Sequence, residues 1–171
     1  LFRSAVFYLQ PKCNMATGEL VSMEALARWQ KSDGTFVSPE EFIPLFESSG
    51  FITRFDMYIW KSVCKTLAAW QDKGCKLVPI SINVSMIDIT NIDVPQYLSM
   101  LTEQYHISPE YLPVEITESV FAESNTIVKN TITRFHKKGF YVLMDDFGSG
   151  YSSLNVLKDA NVDYLKLDMK F

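Results

Sequence analysis

Cysteine is scarce in this chain. Its 171 residues hold three, Cys13, Cys64 and Cys75. An odd number without CxxC spacing supplies neither a disulfide framework nor a zinc site. Reduced, structural thiols in a cytoplasmic setting are the expectation. No apolar run approaches the ~20 residues of a membrane span, and no secretory leader is visible. The sequence opens on Leu1, so it is expected to be excised from a longer protein. Sensor or membrane-anchoring segments upstream stay open. Positive charge is also short: the net charge is -4 and the pI about 5.2. That argues against a binder of DNA or RNA polymers. It leaves room for a small anionic ligand, because a bound metal inverts the local charge. With no low-complexity stretch and no Pro/Gly/Ser linker, no internal domain boundary is expected.

What is present suits a packed core: 47% hydrophobic and 21% charged residues, a balance that argues against disorder. Residues 5–11 read as a strand and 14–18 as a turn punctuated by Thr17-Gly18. Residues 19–29 read as a second strand, antiparallel to the first because so short a turn allows nothing else. Ser38-Pro39-Glu40-Glu41 predicts a helix start, with Ser38 as N-cap, running to Gly50. A longer helix is predicted over 54–73. Its apolar face is Phe55, Ile59, Trp60, Leu67 and Trp70. Trp29 is expected to pack under its own strand. Strands are predicted at 79–85, 113–117, 140–145 and 163–168, with helices at 94–105, 125–138 and 151–158 between them. That alternation implies a parallel sheet with helices outside, open or barrel-shaped. Asp88 and Asp93 read as loop or capping residues, and His106 and His136 as solvent-facing.

Buried parallel strands normally read as continuous apolar runs. Here each carries a polar residue at or near its C-terminal end: Glu24, Asn83, Glu115, the pair Asp145-Asp146, and Lys166. If the strands are parallel, these ends share one face, where barrel active sites lie. Burying such charge costs several kcal/mol unless it is paired or metal-bound. Singly, each residue is better read as a surface or salt-bridged group; jointly, they favour a metal site. Hard oxygen donors without His or Cys select Mg2+ or Mn2+ over zinc, and Asp145-Asp146 could bridge two ions. Two-metal sites suit phosphodiester hydrolysis. The loop Phe147-Gly148-Ser149-Gly150 that follows could approach an anion or serve as a plain strand-to-helix turn.

These segments resemble the EAL domain family. Glu24-Ala25-Leu26 is its signature tripeptide, set in Met23 to Trp29. Around it stand Tyr8-Leu9-Gln10-Pro11-Lys12, Ser38 to Pro44, Ser81-Ile82-Asn83-Val84-Ser85, Glu115-Ile116-Thr117-Glu118-Ser119, Asp145 to Leu154 and Lys166-Leu167-Asp168, in the family's order. The resemblance covers essentially the whole chain. It implies a modified TIM (β/α)8 barrel with an antiparallel first strand. It implies hydrolysis of cyclic di-GMP to linear pGpG with two Mg2+ or Mn2+ ions. Carried over by position, Glu24, Asn83, Glu115 and Asp145 are metal ligands. Asp146 serves the second metal or its water, and Lys166 orients or helps activate the nucleophilic water. Gln10 and Arg28 contact the ligand, Arg28 at a phosphate. Glu118 anchors the loop after the double Asp, a loop implicated in metal binding and dimer coupling. Ser149 stands where Thr is common. A homodimer and an upstream sensor or GGDEF-type domain are further implications.

Six strands are predicted, and a closed barrel takes about eight in roughly 250 residues. Residues 1–171 are therefore expected to be one EAL domain lacking its last two strand-helix units, with a further metal-binding glutamate among them. The 171-residue piece by itself is expected to be inactive, and its parent domain competent. The alternative is a degenerate EAL domain that binds cyclic di-GMP without turning it over; a pure interaction module fits less well.

Overall fold

A computed structural model describes residues 4–123, 125–148 and 161–169. It opens on an antiparallel hairpin of β1 (Ala5–Cys13) and β2 (Leu20–Gln30). Asn14 makes the turn: its Oδ1 accepts from the backbone of Ala16 and Thr17 at 2.8 and 3.1 Å. Gly18 closes it at φ 72°, a conformation that disfavours a side chain. A two-residue strand, β3 (Phe36–Val37), pairs back onto β2. It is too short to carry any periodicity and was not anticipated. Then follow α1 (Pro39–Ser48), α2 (Ile52–Asp72), β4 (Ile80–Asn83), α3 (Met86–Asn91), α4 (Val94–Gln104), β5 (Val114–Thr117), α5 (Glu118–Glu123), α6 (Asn125–Lys137), β6 (Val142–Phe147) and β7 (Tyr164–Leu167). The predicted helix over 151–158 lies outside the described residues.

The sheet order is β1-β2-β4-β5-β6-β7, parallel from β2 onward. The six strands expected form this path. One face is apolar: Ile80, Ile82, Val114, Ile116, Val142 and Met144 are at most 1% exposed and lie under the helices. Helix α2 buries the predicted stripe of Phe55, Ile59, Trp60 and Leu67, and Trp70 packs at its margin. Trp60 also donates its Nε1–H to the Asn83 carbonyl at 3.0 Å, tying α2 to the end of β4. Trp29 packs on Phe42 and Phe46 of α1, centroids 6.0 and 5.5 Å apart.

The other face is the polar one. Antiparallel partners share a face, so Gln10 lies beside Glu24, Lys12 beside Ser22 and Val6 beside Arg28. The alternation of period two adds Ser81, Asn83, Glu115, Asp145 and Lys166. This face is strongly curled. Lys166 on β7 touches Glu24 on β2, although β4, β5 and β6 stand between them in the sheet. Among the described residues the sheet is not closed, so an incomplete barrel is what is seen.

Several local expectations need adjusting. Ser38 sits at the N-cap of α1 with extended backbone, but its side chain makes no capping bond. Asp88 and Asp93 do cap: Asp88 completes a capping box with Ser85, and Asp93 accepts from Gln96. His106 is exposed. His136 is not simply solvent-facing: it is half-buried, with Nε2 3.0 Å from Asp163 Oδ2. All three cysteines are free, but only Cys64 is buried; Cys13 and Cys75 are exposed. No described helix is long and apolar enough to cross a membrane.

Candidate active site

Parallel strands in register bring their C-terminal ends to one rim. Asn83 pairs with Glu115, Thr117 with Asp145, and Glu24 with Ser81. Glu24, Glu115 and Asp145 thereby converge, with one carboxylate oxygen of each within 4.8 Å of the others. Glu115 has no side-chain exposure at all, and Glu24 only 10%. Three carboxylates so placed repel one another unless a proton or other positive charge sits among them.

Two lysines supply that charge. Lys166 Nζ lies 2.9 Å from Glu24 Oε2, 2.5 Å from Glu115 Oε2 and 2.9 Å from Asp145 Oδ2. Burial works against its ammonium, but the bonds to Glu115, Glu24 and Asp145 outweigh it, so the pKa rises above the lysine range. The second is Lys12, 2.5 Å from Glu115 Oε1 and 3.4 Å from Glu24 Oε2. Sequence reasoning gave Lys12 no role. Residues 8, 10 and 12 alternate onto one face, but that alternation does not say that the sheet curls Lys12 inward.

Asn83 stands at the edge of the group, its Nδ2 3.5 Å from Glu24 Oε1. Asp146 is outside the trio. A bulge lets Asp145 and Asp146 together oppose Lys166, and it puts Asp146 at φ 56°. Such an extra residue re-aims neighbouring side chains. Asp145 turns inward while Asp146 is exposed. Partial burial, then the Asp145 charge, raises the Asp146 pKa. Glu118 accepts from the Gly148 amide at 3.0 Å, holding the start of the following loop. Phe147 is buried beside it. Ser149 and Gly150 lie outside the described residues.

Gln10 is exposed beside Glu24. Arg28 donates to the Ala27 carbonyl at 2.8 Å, with its guanidinium 5.9 Å from the Tyr8 ring centre. Arg28 and Asn83 line a groove of about 430 Å³, whose wall includes Ile43, Asp56, Trp60 and Ser85. Asp56 is the unexpected member. Burial, then the Asp88 carboxylate and its hydrogen bond, push its pKa up to about 9, with Glu47 adding to the effect. Asp88 is wholly buried. Its Oδ2 accepts from the Ser85 amide and hydroxyl at 2.9 and 2.7 Å. Its Oδ1 has no donor among the described residues. A protonated Asp56 carboxyl supplies one. Nothing in the sequence separated Asp56 from a surface acid on a long helix.

The donor set fits a hard divalent cation: carboxylate and amide oxygens, with no thiolate or imidazole in the group. The lysine ammoniums mark where positive charge is most favoured.

The EAL domain family model matches residues 3–171. The chain is 36% identical over 169 residues to Probable cyclic di-GMP phosphodiesterase PdeB of Escherichia coli (strain K12), covering 99% of this chain and 32% of that protein. It is 34% identical over 168 residues to Cyclic di-GMP phosphodiesterase PdeR of the same organism, covering 97% of this chain and 25% of that one. It therefore spans a third or less of the length of these relatives. The solved structure described as PaMucR phosphodiesterase, c-di-GMP complex, superposes with a TM-score of 0.90 at 28% identity, over 97% of this chain and 67% of that one.

Proposed function

Because the chain belongs to the EAL domain family, we propose that it carries the catalytic part of a phosphodiesterase that hydrolyses cyclic di-GMP to linear pGpG. The observation that carries the reading is the convergence of Glu24, Glu115 and Asp145 around Lys166. Glu24, Asn83, Glu115 and Asp145 would hold one Mg2+ or Mn2+, with Asp146 and Asp145 serving a second. Such ions supply Lewis-acid stabilisation of phosphoryl oxygens and make water more acidic.

The chain's own residues do the rest. Arg28, on the same face as Glu24, binds a phosphate through its planar fork of donors. Gln10 orients the ligand from the opposite strand. The groove beside Arg28 gives the dinucleotide room. Lys166, reaching the cluster from β7, orients the attacking water or helps to activate it. That water forms the new P–O bond as the ring P–O bond breaks, and the departing ribose oxygen takes up a proton. Glu118 keeps the loop beyond Asp146 in place through the Gly148 amide. A cytoplasmic location, a homodimer formed near that loop and an upstream sensor or GGDEF-type domain belong to the same proposal.

The test is chromatographic. Full-length protein with Mg2+ or Mn2+ is expected to release pGpG from cyclic di-GMP, and Glu24→Ala to release essentially none. Binding of cyclic di-GMP in Ca2+, with no pGpG in any metal, would instead make the domain a receptor.

A further inference from the structure

We infer that Lys12 is a positioning residue for Glu115 that biases the carboxylate site toward Mg2+ and Mn2+ over Ca2+; this rests on the metal-site reading above. Lys12 enters from β1 opposite Ser22, two residues before Glu24 on β2. Its ammonium thus approaches from beneath the cluster, away from the strands' C-terminal ends. There it lies 2.5 Å from Glu115 Oε1 and 3.2 Å from Ser81 Oγ. The Ser81 hydroxyl reaches the same Oε1. The other oxygen, Oε2, meets Lys166 at 2.5 Å.

The two oxygens of Glu115 therefore have different fates. A cation that takes the place of Lys166 at Oε2 finds Oε1 already held by Lys12 and Ser81. Glu115 then offers it one oxygen, at a fixed position. The side chain is fully buried, so a released Oε1 has no solvent to turn to. Mg2+ demands near-ideal octahedral geometry and gains from an oxygen fixed in place. Ca2+ takes about six to eight oxygens in flexible geometry and readily accepts a bidentate carboxylate. Loss of Lys12 loosens Glu115 and frees its second oxygen, which harms Mg2+ more than Ca2+. Removing one positive charge strengthens attraction for both ions alike, and so cancels from the ratio of their affinities.

The experiment is calorimetric titration of the full-length protein with Mg2+ and with Ca2+, without nucleotide. In Lys12→Met the Mg2+ affinity is expected to fall relative to Ca2+ by roughly tenfold or more, the range found when groups supporting metal ligands are removed. Lys12→Arg keeps a charged donor at Oε1 and is expected to restore most of the ratio. Ser81→Ala should move the ratio the same way by less, and decides the matter if Lys12→Met does not fold. An unchanged Mg2+ to Ca2+ ratio in folded Lys12→Met, or in Ser81→Ala where Lys12→Met does not fold, overturns the inference. Failure of the wild type to bind either ion overturns the metal-site reading instead.

Discussion

Two clusters of acids lie among the described residues, and their charge is offset differently. Glu24, Glu115 and Asp145 are compensated by cations, the ammoniums of Lys12 and Lys166. Asp56 and Asp88 are compensated by a proton that Asp56 retains. The difference follows from where each group sits. The trio stands at strand ends on the curled face, where side chains from β1 and β7 can reach it. Asp88 is buried at the start of α3 and Asp56 is half-buried on α2 in the groove wall, with Glu47 adding charge of like sign. A cluster built around a cation can exchange that cation for a metal. A proton on Asp56 leaves the second cluster with the single charge of Asp88, whose Oδ2 is already held by the Ser85 amide and hydroxyl, so it attracts a metal far less.

The largest expected effect comes from stripping the first cluster of its cation. Lys166→Met leaves three partly buried carboxylates with Lys12 alone. Without metal, stability should fall by about 3–5 kcal/mol, as for other broken buried pairs. Mg2+ should then raise the melting temperature more in this variant than in the wild type, because the ion replaces the missing ammonium. Turnover should drop by roughly 10²-fold or more, since the water loses its orienting donor.

Next is the proton-held pair. Asp56→Asn gives Asp88 Oδ1 a permanent donor and removes a titrating group. The wild-type Asp56 pKa is raised from 3.8 to about 9. The folded state therefore binds the extra proton across that window. The stability this group contributes is full below about pH 4 and is lost as pH rises toward 9. Asp56→Asn should thus stabilise the protein by about 1 kcal/mol or more at pH 8, and the gain should shrink toward pH 5. Chemical denaturation at both pH values measures it. A gain that is larger at pH 5 would contradict the assignment.

The smallest effect is expected at an acid outside both clusters. Asp163 pairs with His136 at the surface, with both side chains over a quarter exposed. Solvent already serves such charges, so His136→Asn should change stability by less than about 1 kcal/mol.

The first cluster was legible in the sequence, and the second was not. Glu24, Glu115, Asp145 and Lys166 each interrupt an apolar strand, and the parallel alternation of elements places such interruptions at one end. Gln10 and Arg28 came only from the family resemblance; the short turn at Asn14 gave no more than the antiparallel pairing of β1 with β2. Lys12 escaped because a lysine near a strand end ordinarily reads as solvated; only the curl of the sheet turns it inward. Asp56 escaped for a different reason. It sits in a long amphipathic helix, where a period of 3.6 does not say which boundary acid a neighbouring helix will cover. Asp88 was seen as a cap but not as buried, since α3 is one short helix that no pattern announced. The two-residue β3 gave no signal of any length.

The most direct measurement is a crystal structure of the full-length protein grown with Mn2+, with anomalous scattering locating the ion. The expected result is a peak bonded to Glu24, Glu115 and Asp145, with the Lys166 ammonium moved off the carboxylates and Lys12 still on Glu115 Oε1. A map with no peak there, and Lys166 still lodged among all three acids at saturating Mn2+, would contradict the claim that this cluster is the metal site.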